Sequence, residues 1–182
     1  MSRILAVDLD ATLADVQQVY IRLAKERFNL DVKYDDIDNW DFWFQRIPKD
    51  DAWKIFEDIW VENSEEVRPT EDNLSSELYK VIGKGYEISI ITSTQKACLP
   101  NAIHWLAAYG IPYKSITGLY NGQNKFDYPF SAIIDDNPGI AKKACLYPER
   151  QIFLKDQPWN RDVEEKCLKR VSTFGEMLQD LV

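Results

Sequence analysis

Two aspartates, Asp8 and Asp10, stand one residue apart at the end of the apolar run Ile4-Leu5-Ala6-Val7, and a hydroxyl follows at Thr12. A buried strand ending there brings both carboxylates to the edge where open α/β sheets keep their sites. Carboxylates that close oppose each other's ionisation unless a cation lies between them. Mg²⁺ suits such a pair, because it takes oxygen ligands from one or two carboxylates and leaves room for a phosphate. Taken singly, Asp-x-Asp is also what turns and helix N-caps use. A calcium loop is excluded: it needs Gly at its sixth position and Glu at its twelfth, where this chain has Leu13 and Val19.

The elements that must hold these groups follow from hydrophobic periodicity. The pattern predicts a parallel strand over 3–8 and a helix over 14–28, with Val16, Val19, Tyr20, Leu23 and Phe28 near helical spacing. Thr70 is placed to cap a helix over 71–82, which Gly83 and Gly85 end. Strands are expected over 86–91, 113–117, 131–134 and 151–154, with helices over 99–109 and 138–146 between them. Thr173 and Glu176 have capping-box spacing ahead of a short C-terminal helix. Alternating strands and helices imply an α/β fold, a Rossmann-like parallel sheet flanked by helices.

Three strand ends then carry polar groups on one edge. Asp8 and Asp10 follow the first, Thr92 and Ser93 follow Ile90-Ile91, and Asp135 and Asp136 follow Ile133-Ile134. Lys125 lies ten residues before Asp135, in the loop entering that strand. Singly, each has a plain reading: Thr92 and Ser93 as helix caps, Lys125 as a solvated lysine, Asp135-Asp136 as a turn opener. Together, in this order, they describe a crevice for a metal-bound phosphate, with hydroxyls and backbone N–H groups on its oxygens and Lys125 offsetting charge.

At 182 residues, with 45% hydrophobic and 29% charged side chains, the chain matches one ordinary globular domain. No apolar run is long enough to span a bilayer, and Asp8 and Asp10 interrupt any signal-peptide core. The formal charge of −8 argues against a nucleic-acid partner. Residues 31 to 72 carry 14 acidic and 5 basic side chains, a net of −9, and the remainder is +1. That segment is also aromatic, with Trp40, Phe42, Trp43, Phe44, Trp53, Phe56 and Trp60. It reads as a small helical cap over 31–68, inserted after the first strand into a core formed by 1–30 and 69–182. Cys98, Cys145 and Cys167 include no C-x-x-C pair, so they are expected to be reduced thiols in a cytoplasmic protein. His104, the only histidine, falls in an expected helix as a packing or surface residue. Cys145 and Arg150 are one residue too close for a thiol-based phosphatase loop.

The ordered set Asp8-x-Asp10-x-Thr12, Thr92-Ser93, Lys125 and Asp135-Asp136 resembles the four motifs of the haloacid dehalogenase-like (HAD) phosphatase superfamily, over residues 8 to 136. More narrowly, the chain is similar to the 5'(3')-deoxyribonucleotidase family. The shared features are Leu13-Ala14-Asp15, Thr92-Ser93-x-x-Lys96, Phe42-Trp43-Phe44, and a tail from Phe153 to Asn160 resembling Phe-Asp-Gln-Pro-Tyr/Trp-Asn. Ala11 stands where the family usually has Gly, Val16 where animal members carry an aromatic, and Lys155 interrupts the tail match. The resemblance implies a phosphomonoesterase of nucleoside monophosphates. Asp8 would be the nucleophile and Asp10 the general acid and base. Mg²⁺ would be held by Asp8, the Asp10 backbone carbonyl and Asp136, with Asp135 in support. Thr92, Ser93, Lys96 and Lys125 would hold the phosphate.

Phe42, Trp43 and Phe44 offer faces on which a nucleobase can stack, although aromatics in a small insertion often form only its core. The expected partner is a small-molecule nucleotide, not a nucleic acid or a membrane, and a homodimer is compatible with the sequence. A phosphatase of another small phosphoester, such as a sugar or coenzyme phosphate, is the alternative. A non-catalytic nucleotide-binding relative is disfavoured by the intact Asp8–Asp10 pair, and a polynucleotide 3'-phosphatase by the net charge.

Overall fold

The computed structural model describes residues 3–120, 122–164 and 166–182. The first strand, β1 (Arg3–Val7), leads through a turn to β2 (Ala14–Asp15) and helix α1 (Val16–Phe28). A 3-10 turn at Tyr34–Asp36 and helix α2 (Lys49–Glu62) follow, and β3 (Arg68–Pro69) returns to pair with β2. The chain continues through α3 (Leu74–Gly83), β4 (Tyr86–Thr92), α4 (Leu99–Ala108), β5 (Ser115–Gly118) and β6 (Ala132–Asp135). It ends with α5 (Ala141–Ala144), β7 (Gln151–Lys155), β8 (Lys169–Val171) and α6 (Phe174–Asp180).

Six strands form one parallel sheet in the order β5-β4-β1-β6-β7-β8. β1 lies between β4 and β6, with Val7 in register with Ile90 and Ile134. Sequential connections therefore diverge on either side of β1, and the crevice beyond its C-terminal end is the switch point of the sheet. Leu5 and Val7 enter one buried cluster and Ala6 another, as strand alternation requires. The first cluster extends without a break into the aromatic segment through Ile37, Phe42, Trp43, Ile55, Ile59 and Trp60.

Four expectations are corrected. Thr70 does not cap α3, whose N-cap is Asn73. Its backbone N–H bonds Leu13 O at 2.9 Å and its hydroxyl donates to Thr12 O at 2.8 Å, fastening the returning chain to the turn after β1. The helix expected over 138–146 is a 3-10 turn at Pro138–Ile140 followed by the four-residue α5. The short strands β2, β3 and β8 were not anticipated. Most notably, Cys145 and Cys167 form a disulfide, and only Cys98 is a free thiol, buried beneath α2. Thr173 does cap α6, accepting from Glu176 N at 3.1 Å, while the Glu176 carboxylate accepts from Ser172 N at 2.6 Å. His104 is exposed on α4.

The disulfide closes a loop with a sequence separation of 22 that contains β7 and the turn after it. Chain-entropy reasoning gives such a loop about 3 kcal/mol of stabilisation. Replacing Cys145 and Cys167 together by Ser should lower the unfolding free energy by about that much, measured by urea titration. An unchanged midpoint would show that the bridge does not constrain the unfolded chain.

Candidate active site

Asp8 continues β1 by donating its N–H to Ile134 O at 3.0 Å, so its side chain emerges between the ends of β1 and β6. Asp135 closes β6 and Asp136 follows it. Ligand oxygens of Asp8, Asp135 and Asp136 lie within 4.8 Å of one another, and all three residues are buried. Lys125 reaches them from a 3-10 turn, Lys125–Asp127, whose start is capped by the Asn124 side chain accepting from Phe126 N at 3.1 Å. Its ammonium donates to Asp8 Oδ1 and, at 2.7 Å, to Asp135 Oδ2.

The surrounding groups fix each carboxylate. Asn137 N donates to Asp135 Oδ1 at 2.9 Å. Thr12 donates to Asp136 Oδ1 at 3.2 Å, and the Trp159 indole donates to Oδ2 at 3.0 Å. Asn160 Nδ2 holds the Asp136 backbone carbonyl at 2.8 Å. Three carboxylates against one ammonium leave a formal charge of −2 when all are ionised. The donors are hard oxygens, so the set fits a divalent cation of the Mg²⁺ type.

Asp10 faces elsewhere. Its Oδ1 accepts from the Trp60 indole N–H at 2.8 Å, and its Oδ2 accepts from the Thr94 hydroxyl. Its carboxylate is therefore outside the acidic cluster, although both groups line the same cavity. The turn responsible is tight: Ala11 adopts φ 60°, and its N–H bonds Ala14 O at 2.7 Å.

The electrostatics follow from burial. Burial pushes Asp8 up to about 7, and the Lys125 ammonium only partly opposes this while Asp135 and Asp10 add to it. Burial, Asp8 and Asp135 together raise Asp136 well above the carboxylate range. Burial also raises Asp10, opposed by the hydrogen bonds that Thr94 and Trp60 donate to its ionised form. For Lys125, burial would favour the neutral amine, but Asp135 and Asp8 outweigh it and keep the ammonium charged.

The structure brings together Asp8, Asp10, Ser93, Lys125, Asp135 and Asp136 with Trp43 and Phe44 around one cavity. It does not bring in three other expected residues. Thr92 is fully buried and its hydroxyl accepts from Thr94 N at 3.0 Å, so it shapes the turn from beneath. Lys96 is exposed and does not line the cavity. Phe42 packs edge-on against Trp43 with the Arg46 guanidinium 3.5 Å over its ring, on the core side of the segment. The three adjacent aromatics therefore divide, Trp43 and Phe44 lining the cavity and Phe42 packing away from it.

The sequence reading missed several lining groups. Trp40 and Trp53, 46% and 44% exposed, stand at the cavity with Phe56 and Trp60. Gln17 also lines it and is only 8% exposed. Its Oε1 accepts from the Trp43 indole at 3.1 Å, and among the described residues its Nε2 has no partner. The run Thr92-Ser93-Thr94 was a usable signal for Thr94, and the quoted tail already contained Trp159 and Asn160.

No protein-family model matches the sequence, and no curated protein does. Solved structures do match. A predicted phosphoglycolate phosphatase from Haemophilus somnus 129pt is 14% identical with a TM-score of 0.67, covering 100% of this chain and 98% of its own. A HAD family hydrolase from Deinococcus radiodurans R1, solved with bound phosphate and sodium, is 14% identical with a TM-score of 0.59, covering 97% and 93%. The HAD hydrolase YfnB of Bacillus subtilis, bound to magnesium, is 16% identical with a TM-score of 0.56, covering 99% and 98%.

The raised carboxylates make a prediction with a definite sign. A carboxyl whose folded pKa exceeds its unfolded value destabilises the fold once it must ionise. That cost is absent below the unfolded value of about 4 and grows as pH rises through the folded one, about 7 for Asp8. A divalent cation must displace those protons, so its stabilisation grows with pH. With Mg²⁺ at about 100 times its Kd, melting should show ~2.7 kcal/mol of added stability at pH 8 over a chelated control, and less at pH 5. A larger increment at pH 5 would contradict the assignment of these three residues as ligands. By its likeness to these structures over at least 97% of its length, this chain has the fold of the HAD hydrolases.

Proposed function

We propose that this protein is a Mg²⁺-dependent phosphomonoesterase of nucleoside monophosphates, the reaction of a 5'(3')-deoxyribonucleotidase. One observation carries the reading: two aspartates, two positions apart, face the same cavity from opposite environments. Asp8 sits with Asp135, Asp136 and Lys125, and Asp10 is held by Trp60 and Thr94. That separation suits two carboxyl groups given different tasks.

In this reading the Asp8 carboxylate attacks phosphorus in line, forming an aspartyl-phosphate as the ester P–O bond breaks. Asp10 gives its proton to the departing alkoxide. It then takes a proton from the water that attacks the aspartyl-phosphate, releasing inorganic phosphate and restoring Asp8. Lys125 and Ser93 at the same cavity provide an ammonium and a hydroxyl for the phosphoryl oxygens. Mg²⁺, held by Asp8, Asp135 and Asp136 with the Asp10 backbone carbonyl, would neutralise charge on the transferring group.

The nucleotide preference rests on the other end of the cavity. Trp43, Phe44, Trp53 and Phe56 give it an aromatic wall, and Gln17 Nε2 offers a donor without a partner among the described residues. The neighbouring acidic segment opposes polyanions, which favours monophosphates over nucleic-acid ends. A second reading, a phosphatase of a smaller phosphoester, draws support from the phosphoglycolate phosphatase among the matching structures. Among the described residues, no helix is long and apolar enough to cross a membrane. The proposed setting is the cytoplasm, where the Cys145–Cys167 bridge would be open to reduction.

Substituting Asp8→Asn should abolish phosphate release from dTMP, by roughly 10³-fold or more, with the circular dichroism spectrum retained. Continued turnover in that variant would refute the nucleophile. Trp53→Ala or Phe44→Ala should raise KM for dTMP about tenfold, the scale of one lost base stack, and affect phosphoglycolate far less. Equal effects on both substrates, or dTMP inert beside a readily hydrolysed phosphoglycolate, would favour the second reading.

A further inference from the structure

We propose that Trp60 is a positioning residue that keeps the Asp10 carboxyl at the leaving group and out of the acidic cluster; this rests on the reading of Asp10 as acid and base. Trp60 lies in the last turn of α2, within the aromatic segment, and is 2% exposed. Its indole donates to Asp10 Oδ1 at 2.8 Å across 50 positions of sequence.

An indole N–H donates and never accepts. Oδ1 is therefore an acceptor in both protonation states of Asp10, and the transferable proton is assigned to Oδ2. The partner of Oδ2 is the Thr94 hydroxyl. A hydroxyl donates to a carboxylate and accepts from a carboxylic acid, so it serves both states. When the Oδ2–H proton passes to the ester oxygen, the P–O bond breaks and the alcohol departs. The Thr94 hydroxyl then turns to donate to Oδ2, and Trp60 needs no change.

Trp60 is itself held by the core. Its ring meets Trp105 edge-on at 6.0 Å, and its carbonyl accepts from Asn101 Nδ2 at 2.8 Å. Trp105 in turn donates to Val67 O at 2.9 Å. Helix α4 thus fixes the end of α2, and the end of α2 fixes Asp10. Without the indole N–H, Oδ1 has lost its donor, and a charged carboxylate is drawn toward the Lys125 ammonium and a cation at Asp8, Asp135 and Asp136. There Asp10 would be a ligand and no longer a proton donor.

The test is the dependence of turnover on the leaving group. Alkyl phosphate monoesters need a proton on the departing oxygen, whereas 2,4-dinitrophenyl phosphate expels a stable anion. In Trp60→Phe, which keeps an aromatic ring and removes the N–H, turnover of an alkyl ester should fall about 10- to 100-fold further than that of the dinitrophenyl ester, a fraction of what general acid catalysis supplies. Thr94→Val, a smaller change on the Oδ2 side, should steepen the dependence in the same direction. In an Asp10→Asn background neither change should steepen it further. A parallel fall for all esters in both variants means that Trp60 and Thr94 only support the fold, and overturns the proposal while leaving the phosphatase reading intact. Failure of the unaltered protein to hydrolyse any of the esters in Mg²⁺ would overturn that reading, and the role of Trp60 with it.

Discussion

Three carboxylates are gathered where β1 and β6 end, and the local architecture is a response to their mutual repulsion. A parallel sheet puts all its C-terminal ends on one side, so Asp8, Asp135 and Asp136 are brought together by topology before any side-chain packing is considered. Lys125 offsets one charge. The remaining lone pairs are partly met by donors from three turns: Thr12 after β1, Asn137 directly after β6, and Trp159 after β7. Gln157 and Asn160, from the same turn as Trp159, hold the backbone carbonyls of Ala11 and Asp136 at 2.7 and 2.8 Å. Burial nevertheless keeps Asp8 and Asp136 raised, so the protein alone does not complete the compensation. A divalent cation would complete it.

The aromatic segment has two duties at this site, and they bear on each other. Its outer rings, Trp40, Trp53 and Phe44, face the cavity, where a flat apolar group can lie against them. Its inner residues, Ile55, Ile59 and Trp60, belong to the same buried cluster as the sheet. Stacking on Trp53 therefore acts on the helix that also touches Asp10 through Trp60. Binding energy at the far end of a substrate can in this way be expressed at the reacting end, the arrangement by which remote contacts raise turnover as well as affinity.

Legibility in the sequence followed the strength of local signals. β1, β4 and β6 were readable because each carries Ile, Val, Leu or Ala at most of its buried positions and ends in polar groups, and their parallel order fixed where Asp8, Ser93 and Asp135 would meet. β2, β3 and β8 span only two or three residues and have no period to read. Thr70 had the chemistry of a cap, but long-range bonds to Thr12 and Leu13 claimed it. The Cys145–Cys167 bridge was hidden because an odd cysteine count and a separation of 22 give no spacing signature; only the folding of β7 and β8 brings the two together. Trp60 and Gln17 were invisible as site residues for a related reason. Each acts through a partner, Asp10 or Trp43, that lies 26 or more positions away in sequence.

Strand alternation would put Asp8 and Asp10 on the same face, side by side, as two ligands of one cation. The chain avoids this because it leaves β1 at Val7 and reverses at Ala11, where the backbone takes a left-handed conformation that costs a non-glycine residue about 1 kcal/mol. Ala11 N to Ala14 O, Leu13 N to Leu9 O and Ala14 N to Leu9 O lock the reversal, and Gln157 braces it from outside. Asp10 is thereby turned from the acidic cluster toward Thr94 and Trp60. A carboxyl that ligated the cation would be held ionised, whereas one turned aside is raised by burial, against the opposing pull of its two hydrogen bonds. The strain at Ala11 and the indole of Trp60 thus serve one end from two directions: they keep the Asp10 carboxyl close to Asp8 in space but outside the acidic cluster.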